Sequence, residues 1–397
     1  MFKGHKVRKS SDRRNVMSAL RPMYITLCVF GLMPYSLKFP KGKGYATIIP
    51  KSIYFNSFCS IAMILTIYSW FFLHVQKLIN DSENNTLTEV LSTKTNYMLQ
   101  LYTFIMFSTI AYICAFKNRF TYVIILNGIA LGINKLFDHS RATIIREIDI
   151  QVKLVTGCFC LLLVILMMTN IISHDTVWNM TLDILTFTLP QMIQFTIISF
   201  YYVLVSMVAG ILKNINGMLI NIVKARKFNA TILTKVGAYV DLLKLEIMFV
   251  KMLEIKREIN KAFQASILAT AIQCFHLLVA ETHILYHGLA VNNSLTIQDI
   301  INRVLWISYT LMKIYMISRS GSILKEQVAN IGRNLHNIPV GEEDPRLYWE
   351  IQHFSTLMMH QDAALTVYDF FPLDASLMFN VSTSNDTYLH MLVYTYN

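Results

Sequence analysis

Charge is scarce in this chain: only 15% of its 397 residues are Asp, Glu, Lys or Arg, while 54% are hydrophobic. A soluble domain of this length needs a charged surface. The composition and several apolar runs near ~20 residues therefore exclude a separate soluble domain and indicate a multi-span membrane protein. The six cysteines, Cys28, Cys59, Cys114, Cys158, Cys160 and Cys274, all lie in apolar stretches and none in a polar loop. That placement excludes a disulfide framework and a zinc-type spacing. A Gly-rich phosphate loop, a nucleophile elbow and a metalloprotease helix signature are missing, so neither an enzyme nor a cofactor is expected. No half of the chain repeats the other, which argues against a secondary transporter. The apolar run 22–37 is short, contains Gly31 and Pro34, and has no small-residue cleavage site. It reads as an interfacial or buried segment and not as a signal peptide.

What is present is a series of spans. They are expected at 52–74, 97–116, 151–172, 182–212 with a kink at Pro190, 263–288, 297–317 and 376–397. The polar stretch 75–96 reads as a loop. The long polar stretch 213–261 carries Val240, Leu243, Ile247, Val250 and Leu253 at helical spacing, so it should extend the spans as packed helices. Glu342, Glu343, Asp344 and Pro345 open a further helix carrying Leu347, Ile351 and Phe354. The net charge of +11 would suggest nucleic acid in a soluble protein, but the basic residues follow the loops. Thirty of the 35 Lys and Arg fall in 1–51, 117–149, 213–262 and 317–375, and two in the alternate loops 75–96, 173–181 and 289–296. The basic set is cytoplasmic, which places the amino end inside and, after seven spans, the carboxy end outside. This is opposite to a G-protein-coupled receptor. The acceptor patterns for glycosylation at Asn80, Asn84, Asn179 and Asn292 then fall outside.

The last stretch, SLMFNVSTSNDTYLHMLVYTYN, is just long enough to cross a bilayer. Asn380, Ser384, Thr387, Met391 and Tyr394 share one helical face, and Asp386 sits beside it. A polar stripe in a membrane must face protein or water. Either several copies surround a pore, in which a ring of Asp386 would favour cations and Met391 could close by dewetting, or the stripe bonds to neighbouring helices.

Tyr97, Gln100, Gln191, Gln194, His283, His287, Trp306 and Tyr309, in the second to sixth spans, offer rings with a few polar groups, which is what a small amphipathic ligand needs. The competing reading is that these groups satisfy one another between helices. Glu281, His283 and His287 could suggest a metal, but no third ligand is placed and none is expected. Glu281 should pair with Arg303 on the next span. His353, His360 and Asp362 read as structural or solvated.

The stretch Tyr368-Asp-Phe-Phe-Pro-Leu-Asp, with Thr387-Tyr388-Leu389-His390-Met391-Leu392-Val393, resembles the end of insect gustatory receptors. Phe30-Gly31-Leu32-Met33-Pro34-Tyr35 resembles the stretch preceding their first span. The resemblance covers nearly the whole chain. It implies an all-α membrane protein of seven transmembrane helices with inverted topology and a cytoplasmic helical anchor. The layout is an amino-terminal segment 1–51, spans and extensions 52–318, anchor helices 319–375 and a pore-lining helix 376–397. It further implies a tastant-gated, non-selective cation channel, a homo- or hetero-tetramer in the plasma membrane of sensory neurons, with Met391 and Tyr394 at the gate. The family's closing Gln-Phe is here Tyr394-Thr395. Leu389 replaces the Glu typical of sugar receptors, which points to bitter or other non-sugar compounds. An odorant-receptor subunit working with a co-receptor, and more distantly a transporter, are the alternatives.

Overall fold

The computed structural model describes residues 19–33, 36–38, 49–52, 54–84, 91–136, 138–173, 176–228, 232–286, 288–289, 296–340, 344–381 and 383. In chain order these form α1 (Arg21–Val29), β1 (Ser36–Lys38), β2 (Ile49–Ser52), α2 (Tyr54–Asn84), α3 (Leu91–Lys117), α4 (Arg119–Asn134), α5 (Asp138–Ser173) and α6 (Val177–Asp183). A π-helical stretch (Ile184–Thr188) leads into α7 (Leu189–Phe228). Then come α8 (Ile232–Tyr286), α9 (Ile297–His336), α10 (Pro345–His360), β3 (Thr366–Val367) and β4 (Phe371–Pro372). Residues 375–381 begin the final helix. Among the described residues the strands make two small antiparallel pairs, β1 with β2 and β3 with β4.

Five stretches among the described residues are long and apolar enough to cross a membrane: Asn56–Asn80, Tyr97–Lys117, Ala142–Thr169, Val177–Arg226 and Asp241–Tyr286. Their burial differs sharply. The most apolar 18 residues of the α7 stretch are 89% buried and those of the α5 stretch 13%, so α7 is the central post and α5 a peripheral helix. The outer helices leave Phe58, Leu65 and Phe72 of α2 and Leu154, Leu161 and Val164 of α5 exposed, as a lipid-facing surface should. The sixth expected span is the first half of α9, which Arg303, Lys313 and Arg319 make too polar to qualify by composition.

Three local readings need correction, and one segment without an assigned structure is helical. The stretch 75–96 is no simple loop: α2 runs on to Asn84 and α3 starts at Leu91, because nothing between Val75 and Asn84 breaks a helix. The basic segment after the second span contains α4, whose Ile125, Ile129 and Ile133 are buried. At 16 residues α4 is ~24 Å long, too short to cross. The helical extension before the fifth span exists, but its inner face is Leu242, Leu245, Phe249 and Met252, while Leu243 and Ile247 are exposed. Pro190 does not simply kink a helix. It has no N–H to give the carbonyl of Thr186, and the chain absorbs the missing bond as the π-turn Ile184–Thr188.

Residues 19–33 of the amino-terminal segment pack against the bundle. Helix α1 is nine residues long, ~14 Å, and buries Met23 and Leu27. Gly31 follows at φ 66°, a left-handed conformation that suits glycine, and a side chain there would meet Ser60 Cα at 2.8 Å. Ser60 Oγ donates to the Gly31 carbonyl and Tyr112 OH to that of Phe30 (2.7 Å).

At the other end, Asp344 caps α10 by accepting from Leu347 N, Pro345 begins the helix, and Leu347, Ile351 and Phe354 are buried as expected. Each such burial is worth roughly 1.5–3 kcal/mol in contact with water. Phe354 packs edge-on to Phe249 of α8, with ring centroids 5.3 Å apart.

Candidate functional site

Lys313 lies midway along α9 and is fully buried. Its Nζ donates to Gln191 Oε1 (2.7 Å) and Gln194 Oε1 (2.6 Å) of α7 and sits 4.7 Å from the centroid of the Tyr309 ring, with the Cys274 thiol beside it. None of the described ion pairs includes this lysine. Its charge is met by amide oxygens and a π-face, a costly arrangement inside a bundle and therefore one that argues for function.

Because an ammonium only donates, it fixes both glutamine amides with their oxygens inward. Gln194 Nε2 then donates to Gln273 Oε1 of α8 (2.7 Å), while Gln191 Nε2 is buried with no acceptor among the described residues. Tyr309 OH donates to the Gln191 carbonyl (2.7 Å), and the Tyr309 ring is stacked by Phe195 and met edge-on by Trp306. The result is an array from three helices that leaves one amide donor unanswered.

One turn earlier, the π-turn builds a second group. Thr186 Oγ1 donates to the Leu182 carbonyl, so His74 Nδ1 must carry the proton it shares with Thr186 (2.8 Å). His74 Nε2 is then the acceptor for Tyr97 OH (2.8 Å). Phe187 packs against His74, Tyr97 and Phe104 at centroid distances of 5.1 to 5.6 Å. Phe187, Gln191 and Gln194 fall at i, i+4 and i+7, so one side of the α7 post serves both groups.

The sequence candidates thus divide. Gln191, Gln194, Trp306 and Tyr309 come together, and Tyr97 joins the neighbouring aromatic group. Gln100 is half-buried on α3, between Tyr97 and Phe104 in the chain. His283 is half-buried near the end of α8, and His287 lies outside the described residues. Glu281 is committed to Arg303, with Nη1 to Oε2 at 2.8 Å.

Lys313, His74, Thr186 and Gln273 complete the two groups. Lys313 is the omission with the clearest signal, a lone cation in the run Val304 to Ile317. Of the pore candidates, Asn380 is exposed in the first turns of the final helix, while Ser384, Asp386, Thr387, Met391 and Tyr394 lie outside the described residues. Among the glycosylation candidates, Asn80 is exposed, Asn84 ends α2, Asn179 accepts from Lys77 Nζ (2.6 Å), and Asn292 lies outside the described residues.

The start of the final helix is fastened to α9. Gly321 meets the Leu373 backbone so closely that a Cβ would lie 2.7 Å from its carbonyl carbon and nearer still to the oxygen. Ser318 Oγ donates to the Asp374 carbonyl (2.7 Å), and Asp374 Oδ1 accepts from the N–H and hydroxyl of Ser376. These bonds to Ser376 hold the Asp374 carboxyl below the usual carboxylate range, with Lys325 adding to the effect. A helix that carries the buried lysine is therefore joined, two turns on, to the final helix.

A bundle of long apolar helices around a buried polar array is the architecture of a multi-pass membrane protein. The chain belongs to the 7tm Chemosensory receptor family, whose model matches residues 20–393. Its fold is that of the insect olfactory receptor OR5 from Machilis hrabei, at 14% identity and TM-score 0.72, covering 95% of this chain and 98% of that one. The same receptor in complex with eugenol gives a TM-score of 0.68 at 14% identity, covering 96% and 98%. No curated protein matches the chain.

Proposed function

We propose that this chain is a gustatory receptor: a tastant-gated, non-selective cation channel for bitter or other non-sugar compounds. Four subunits, identical or mixed, surround the pore in the plasma membrane of sensory neurons. In this reading the amino end is cytoplasmic, and glycans attach at the candidate asparagines on the outside. The final helices meet on a shared axis, with Asn380, Ser384, Thr387 and Asp386 lining the conduit and Met391 and Tyr394 forming the gate.

The observation that carries the reading is the joint between α9 and the final helix. A small molecule that accepts from Gln191 Nε2 or displaces a glutamine from Lys313 shifts α9 against α7. Gly321 has no side chain to cushion that movement, so Leu373 and Asp374 receive it and the final helix turns. Ligand affinity for the shifted arrangement then sets how far the closed-to-open equilibrium moves. The eugenol complex of the olfactory receptor is consistent with a small amphipathic ligand in such a bundle.

The replacement of the family's closing Gln-Phe by Tyr394-Thr395 favours one second reading, an odorant-type subunit that conducts only beside a co-receptor. The test is cation influx in cells expressing this chain alone and with a co-receptor, against a panel of bitter compounds and sugars. Current from the chain alone, evoked by non-sugar compounds, is expected, and Lys313→Met should raise the half-activating concentration at least tenfold at equal surface expression. Silence alone with current beside the partner would transfer the case to the second reading. Unchanged dose dependence in Lys313→Met would remove the polar array from ligand recognition.

A further inference from the structure

Away from the apolar bundle, α10 docks on the charged half of α8. That half carries Lys244, Lys251, Glu254, Lys256, Arg257 and Glu258 and is too charged to lie in hydrocarbon. Where the two helices meet, Glu246 of α8 faces Glu350 and His353 of α10. One donor atom from each of the three lies within 4.8 Å of the others. Glu350 and His353 are three apart on one helix, the Glu-x-x-His spacing that presents a carboxylate and an imidazole on the same face.

We propose that Glu246, Glu350 and His353 form a binding site for a divalent cation of the zinc class, which clamps α10 to α8.

The observation that points to a cation, beyond the grouping itself, is an unanswered buried carboxylate. Glu246 is 5% exposed, and its Oε1 pairs with His353 Nδ1 at 2.9 Å. Its Oε2, and Oε1 of Glu350, are buried with no N–H or hydroxyl donor among the described residues. Two crowded carboxyls and one imidazole are short of positive charge, which a dication supplies.

The donor set selects the ion. One nitrogen and two carboxylate oxygens suit zinc or a similar first-row ion, whereas calcium and magnesium prefer oxygen alone. Zinc sits ~2.0–2.2 Å from such donors, so a modest closing of the side chains brings all three into range and leaves a fourth position for water. Entry is open, because the His353 side chain is 68% exposed. The packing of Phe354 on Phe249 already fixes the facing of the helices, so the ion adds to a formed interface. From α10 the chain passes through β3 and β4 to Leu373, so the clamp braces the segment that leads to the final helix.

The test is zinc titration of the purified full-length chain in detergent, stripped with a chelator and then followed by calorimetry and by thermal melting. One saturable zinc per chain is expected, with a melting temperature that rises on addition and falls back on chelation. His353→Gln and Glu350→Gln should each weaken binding at least tenfold and abolish the rise. His353 is exposed, so its replacement leaves the fold intact even if Glu246→Gln does not. Equal affinity and stoichiometry in the wild type and both variants would assign the zinc to the cysteines and overturn the proposal. So would a cooperatively melting wild type that takes up no zinc.

Discussion

Replacing Gly321 with alanine sets two physical effects against each other. In a helix interior, alanine is favoured over glycine by about 1 kcal/mol, so propensity alone predicts a more stable protein. The geometry predicts the opposite. The new Cβ would lie 2.7 Å from the Leu373 carbonyl carbon and inside the envelope of its oxygen, both backbone atoms that no rotamer change can move aside. Leu373 must then retreat by on the order of 1 Å, and overpacking of this kind costs about 1–3 kcal/mol. The retreat also strains the bond from Leu373 N to the Leu365 carbonyl (2.7 Å) and that from Ser318 Oγ to the Asp374 carbonyl (2.7 Å), each contributing about 0.5–1.5 kcal/mol. The packing loss exceeds the propensity gain, and the net change is a destabilisation of about 1–4 kcal/mol. The assay is the melting temperature of the detergent-solubilised chain, followed by size-exclusion fluorescence. Gly217→Ala in α7 serves as the control, because a Cβ there meets nothing within 4 Å and should leave stability unchanged or raise it. If both variants melt alike, or Gly321→Ala melts higher, the close joint between α9 and the final helix does not exist as described.

Two further predictions follow from charged groups. Glu281 is 3% exposed and pairs with the partly exposed Arg303, so Arg303→Ala strands a buried carboxylate while the double alanine variant does not. A double-mutant cycle on melting should therefore show a coupling of about 1–3 kcal/mol, and additivity would mean that the pair contributes nothing. Asp374 has its carboxyl held below its unfolded value by Ser376, so its contribution to stability is present above the ordinary aspartate range and is lost as the pH falls through the lowered value. Ser376→Ala should flatten that acid limb of the melting-temperature profile, and a limb of unaltered slope would place its origin elsewhere.

Much of the fold was legible because apolar runs and turn chemistry are local properties. The Asp344–Pro345 start of α10 and its Leu347, Ile351 and Phe354 face were readable in the same way. Where both sides of a helix are apolar, local reading failed. Leu243 and Ile247 share the helical spacing of the expected face, yet the neighbours of α8 cover Leu242, Leu245 and Phe249 instead. The polarity of 75–84 resembles that of a loop, although a helix can run past the hydrocarbon edge without breaking.

The candidate site was half legible for a related reason. Gln191, Gln194, Trp306 and Tyr309 stand out as polar or aromatic residues in apolar runs. What binds them into one array is Lys313, whose partners are 122 and 119 residues away in the chain.

By itself, then, the sequence determined which segments leave water, where charge collects, and which residues are polar enough to need an answer inside the bundle. These follow from transfer free energies that each residue carries with it. Only the tertiary structure decided which group answers which. It decided that Gln191 keeps a donor unmet, that Glu246 faces Glu350 and His353, and that Gly321 lies against Leu373. Such pairings depend on the relative placement of helices far apart in the chain, and no local periodicity encodes that placement.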